Sequence, residues 1–129
     1  MTRVQADIAG AVKEWLGAQN IGAQAALAVP ANWNPRAGVL LIVADDGGPV
    51  RLPVKSRHTV RLTAYAAGRT EARRIAASAA GKLAESNPRP EGIAHVSSDI
   101  GAVLDARDKE TGAYLASVLV PVTARTVEV

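Results

Sequence analysis

Two histidines, His58 and His95, are the side chains of this chain whose ordinary titration lies near neutrality. Neither has a second ligand at metal-motif spacing, and nothing resembles H-E-x-x-H, so both read as structural or solvent-facing. A hydroxyl, a base and an acid fall close together in sequence at His95, Ser97, Ser98 and Asp99. Nucleophilic catalysis needs the hydroxyl held against the base and the base against the acid. On one strand, His95, Ser97 and Asp99 would stand in a row about 7 Å apart, too far for that relay, and no G-x-S-x-G elbow is present. Carboxylates gather at Asp45 and Asp46 and at Asp105, Asp108 and Glu110. Neither set has the alternating positions and terminal Glu of a calcium loop, and both read as turns in which Asp bonds its own backbone. Gly47 and Gly48 are not followed by the Lys-Ser/Thr of a phosphate loop. No catalytic residue, cofactor or metal is therefore expected.

The cations form a more coherent set. The formal net charge is +3, with 15 Lys and Arg against 12 Asp and Glu, and most of the cations are Arg. Arg57 and Arg61 would lie on one strand, with Arg69, Arg73 and Arg74 at the start of the helix that follows. Arg is favoured at subunit interfaces and in bidentate contacts, against the plainer reading of a solvated face. With Tyr65, Arg107, Asp108, Lys109, Glu110, Arg125 and Val127 these residues are the candidate contact surface. Aromatics make up 3% of the chain and Phe is missing, which argues against base-stacking platforms.

The elements that must position these residues follow from periodicity. Residues 2–18 carry Val4, Ile8, Val12 and Leu16 at helical spacing, with Thr2 as the N-cap. Residues 28–37 hold Pro30, Asn32, Asn34 and Pro35 and read as a loop; Trp33 inside it either plugs back onto the core or meets a partner. Residues 39–44 read as a buried strand, then a turn at 45–49 and a short strand at 50–52 ended by Pro53. In 56–67, His58, Val60, Leu62, Ala64 and Ala66 face one side and Thr59, Arg61, Thr63 and Tyr65 the other. Gly68 breaks that strand. A helix over about 70–86 presents Ala72, Ile75, Ala76, Ala79 and Leu83 and stops at Asn87, Pro88 and Pro90. Residues 93–104, with a bulge at Gly101, and 114–127 read as an antiparallel hairpin.

The order α-β-β-β-α-β-β predicts one α+β domain over 1–129, a mixed or mostly antiparallel sheet carrying two helices. Ala and Val dominate the apolar residues, so the core is built from small side chains and association would add stability. The chain has no Cys, which excludes disulfides and thiolate chemistry. No apolar run is long enough to span a bilayer, and no export signal is read at the N-terminus.

The stretch His58-Thr-Val-Arg-Leu-Thr-Ala-Tyr-Ala-Ala-Gly-Arg-Thr-Glu-Ala72, an alternating strand running into an Ala-rich helix, is one of two with a familiar pattern. The other is Asp105-Ala-Arg-Asp-Lys-Glu-Thr-Gly-Ala-Tyr-Leu-Ala-Ser-Val-Leu-Val-Pro-Val-Thr-Ala-Arg125. Together they resemble the tail terminator proteins of long-tailed (siphovirus-type) bacteriophages, in particular those infecting actinobacteria. The resemblance implies a small α+β subunit forming a hexameric ring that caps the head-proximal end of the tail tube. It implies as partners the major tail tube protein and the head-completion (stopper) protein, with genomic DNA passing through the lumen without sequence-specific binding. It implies a place at the head–tail junction of a virion assembled in the host cytoplasm, with no membrane, and carries over no catalytic residue. The rival readings are another neck component (a head-completion or connector-adaptor protein) and a small non-phage α+β binding module. Residues 123–129, rich in β-formers, are the expected free edge for joining subunits, and the hairpin tip at 106–111 is expected to reach a neighbouring ring.

Overall fold

In chain order the computed structural model, which describes residues 2–129, runs β1 (Arg3–Val4), α1 (Ile8–Gly17), β2 (Gln24–Ala26), β3 (Leu40–Asp45), β4 (Val50–Arg51) and β5 (Lys55–Ala66). It continues through α2 (Arg69–Ala84), β6 (Ile93–Val96), β7 (Leu104–Arg107), β8 (Tyr114–Arg125) and β9 (Val127–Glu128). The main sheet has the order β2-β3-β5-β8-β6, with β4 added to β5 and β7 to β8. Its ladders are antiparallel except β2–β3, which is parallel. This is the expected mixed, mostly antiparallel α+β sheet with two helices.

Alternation decides which face the helices cover. Ser56, His58, Val60, Leu62, Ala64 and Ala66 of β5 are buried, as are Ala116, Val118, Val120, Val122 and Ala124 of β8. These two strands pair over twelve residues, from Lys55↔Arg125 to Ala66↔Tyr114. On this face lie Ile8, Val12 and Leu16 from α1 and Ala72, Ile75, Ala76, Ala79, Ala80 and Leu83 from α2, in one continuous core. The alanine stripe brings α2 close to the sheet, so the small side chains are replaced in volume by the approach of the backbone. Neither α1 nor α2 covers the opposite face, with Arg57, Thr59, Arg61, Thr63 and Tyr65. No helix among the described residues is long and apolar enough to cross a membrane.

Three expectations change. The N-terminal helix starts at Ile8 rather than near Thr2, because Arg3 and Val4 pair with Glu128 and Val127 and Asp7 supplies the cap, its Oδ1 accepting from Gly10 N at 3.0 Å. The expected strand over 93–104 is two strands, β6 and β7, with a detour at 97–103 between them. Pro121 lies opposite that detour: its carbonyl accepts from Ser97 N at 2.9 Å, so its missing N–H falls on the same flank and cannot continue the ladder. The register shift sits between Ile93 and His95, not at Gly101. Finally, residues 123–129 are not a free edge. Thr123, Ala124 and Arg125 pair with β5, Thr123 and Ala124 also with β6, and β9 pairs with β1.

Candidate functional site

The candidate cations do not form one patch. Arg57 and Arg61 lie on the uncovered face of β5, whereas Arg69 and Arg73 of α2 meet Asp105 of β7, which is in register with buried Ala116 and so lies on the helix-covered side. Arg69 Nε donates to Asp105 Oδ2 at 2.7 Å and Arg73 Nη1 to Oδ1 at 2.6 Å. The Asp105 carboxyl is held below the usual carboxylate range, first by the Arg73 hydrogen bond; partial burial opposes this and Arg69 adds to it. Arg61 pairs with Asp46 at 2.6 Å across the β3–β5 turn. Arg74 is exposed on α2, away from these pairs.

The β7–β8 turn is built by its own side chains. Asp108 Oδ1 accepts from Glu110 N at 3.1 Å and Oδ2 from Thr111 Oγ1 at 2.7 Å, with Gly112 at φ 75° closing the loop. These bonds, led by that of Thr111, hold the Asp108 carboxyl low. Lys109 and Glu110 are exposed at the tip, and Arg107 lies over the Tyr114 ring at 4.2 Å. Trp33 plugs inward, but onto the uncovered sheet face rather than into the core. Its ring meets Tyr65 edge-on at 5.7 Å and its Nε1 donates to Gly38 O at 3.2 Å. Burial, and after it the Asp108 charge, raise the Tyr65 phenol pKa. This loop and the hairpin tip border an open cleft of about 550 Å³.

One constellation was not visible in the sequence. Ser56 Oγ lies 2.6 Å from His58 Nε2, and His58 Nδ1 lies 2.6 Å from Asp45 Oδ2. With an ionised Asp45, Nδ1 carries a hydrogen and donates to the carboxylate, and the Ser56 hydroxyl donates to Nε2. The connectivity is that of a serine–histidine–aspartate relay. Ser56, however, is wholly buried beneath the helix-covered face, so no substrate carbonyl reaches its Oγ. The set acts as a satisfied polar plug at the end of the core. The group considered from sequence behaves differently: Ser97 Oγ accepts from Asp99 N at 3.0 Å in a local turn. Ser56 and His58 alternate onto one face and could have been paired from sequence; Asp45 could not, because its approach depends on the β3–β5 register.

The free edges lie elsewhere than expected. Among the described residues no strand pairs with the outer flank of β2, nor with that of β6 or β7. β7 is exposed throughout, and Leu104 is 65% exposed. No protein-family model matches the sequence, and no curated protein matches it.

Proposed function

We propose that the chain is a structural virion protein that assembles head to tail into a closed ring, hexameric as the resemblance implies, on the head-proximal end of a phage tail tube. It stops polymerisation of the major tail tube protein and joins the tail to the head-completion protein. The genome passes through the ring, and the protein performs no reaction. The observation that carries this reading is the pair of unlike open edges on one sheet, β2 on one side and β6 with β7 on the other. A ring of identical subunits needs two different surfaces related by a rotation that closes, and adding a strand to a sheet edge is one physical means of joining them. The β7–β8 tip and the cleft beside Trp33 supply a further contact, toward tube or stopper. Electron microscopy of tails assembled without this protein is expected to reveal over-long tubes; tubes of normal length reject the role. Native mass spectrometry of the purified chain is expected to give a six-copy species, and monomer at every concentration rejects the ring.

A further inference from the structure

The register aligns cations that the sequence scatters. Arg51 pairs with Lys55, and Lys55 pairs with Arg125, so three positive side chains stand directly opposite one another across β4, β5 and β8. Neighbouring strands are about 4.8 Å apart, and like charges directly opposite are destabilising. Arg57 lies two residues along β5 on the same face, about 7 Å away. Its row continues through Thr123 to His95. Among the described residues none of Arg51, Lys55, Arg57 and Arg125 has a carboxylate within ion-pair distance. The chain's formal charge is +3 and these four carry +4, so everything else together is −1.

Two adjoining grooves, of about 380 and 330 Å³, run over this corner. Their polar side chains are Arg51, Lys55, Arg57, Thr59, Ser97 and Thr123 with His95, and no carboxylate lines either one. Guanidinium, ammonium and hydroxyl groups without acids or aromatics match the phosphate contacts of duplex DNA, which position the backbone and read no sequence. Stacking of single-stranded bases would need aromatic platforms, and this corner has none among its lining residues. We propose that the Arg51–Lys55–Arg57–Arg125 corner of the uncovered sheet face is a sequence-independent contact for the phosphate backbone of double-stranded DNA. This deepens the ring reading by naming the surface turned to the genome.

Fluorescence anisotropy with a labelled duplex of about 30 base pairs, titrated across a salt series, tests it. Wild-type chain is expected to bind with a log–log salt slope of about −3 to −4, as four phosphate contacts require. The Arg57→Gln/Arg125→Gln variant is expected to reduce that slope by about 2 and to weaken binding at least about tenfold at 0.1 M salt. Arg36→Gln/Lys82→Gln removes the same charge from exposed positions outside the corner and is expected to leave the corner's binding intact. Equal losses from both variants, no binding at low salt, or binding of polyglutamate in preference to the duplex each overturn the proposal. A circular-dichroism melt of each variant verifies folding. A closed ring that ignores DNA sinks this surface and leaves the ring standing; a monomer that binds DNA through these residues does the reverse.

Discussion

Ser56 sits two residues before His58 on one face of β5, and its hydroxyl is the partner that the buried Nε2 possesses, at 2.6 Å. Ser56→Ala leaves that ring nitrogen in a dry site. The unpaired acceptor is expected to cost about 1–3 kcal/mol, read as a lower urea midpoint at unchanged slope; an unchanged midpoint would mean that water reaches the imidazole. Asp105 makes a different prediction because it is partly exposed and ionised. Its folded pKa is depressed, so the folded state binds that proton more weakly than the unfolded chain. The stability it contributes is complete above about pH 4 and is lost as pH falls through the folded value. Asp105→Asn is expected to lower the melting temperature at pH 7, and the gap to wild type is expected to close as pH falls through the depressed folded value. A gap that persists in acid would assign the loss to packing instead of charge. At this scale the sequence was only partly legible. Alternation placed Arg57 and Arg61 outward, but which cation stands opposite which is set by register, and register is not a property of any single strand's residues.

The two long strands and α2 were readable as elements because each has one dominant period, and burial follows it: every second residue in β5 and β8, and Ala72, Ile75, Ala76, Ala79 and Leu83 on α2. The alanines there are a spacing device. Ala76→Leu places three extra carbons where helix and sheet backbones approach closely and is expected to cost about 1–3 kcal/mol. Ala77→Leu, one residue on and exposed, is expected to stay within about 0.5 kcal/mol. Equal effects in a denaturant titration would contradict close packing of α2. The short elements were not readable, each for a separate reason. β2 has three residues and takes its place from parallel pairing with β3. β1 and β9 are two residues each and exist through one another, reinforced by Arg3 Nε donating to Thr126 Oγ1 at 2.8 Å. β6 and β7 looked continuous because the residue that separates them, Pro121, belongs to another strand 20 or so positions away in the chain.

The core lies on one face of the sheet and the open edges lie outside it, so surface and stability can be separated experimentally in this molecule. Leu104 is the sharpest place to do so. It is 65% exposed on the β7 edge, and with Ala102, Ala106 and Leu119 it lines a cleft of about 430 Å³ on the uncovered face. Leu104 lies outside the core and is mostly exposed, so Leu104→Asp is expected to shift the melting curve by no more than about 0.5 kcal/mol in stability. If β7 is one of the two edges that meet in the ring, the same change takes an apolar side chain out of every subunit junction. Burying a leucine is worth about 1.5–3 kcal/mol, which is roughly a tenfold or greater change in each junction's affinity. A native-mass dilution series is therefore expected to find ring species disappearing at a protein concentration at least about tenfold higher than for wild type. If the dilution midpoint stays put while the monomer stays folded, β7 is not a joining edge, and the head-to-tail contact must be sought between β2 and β6.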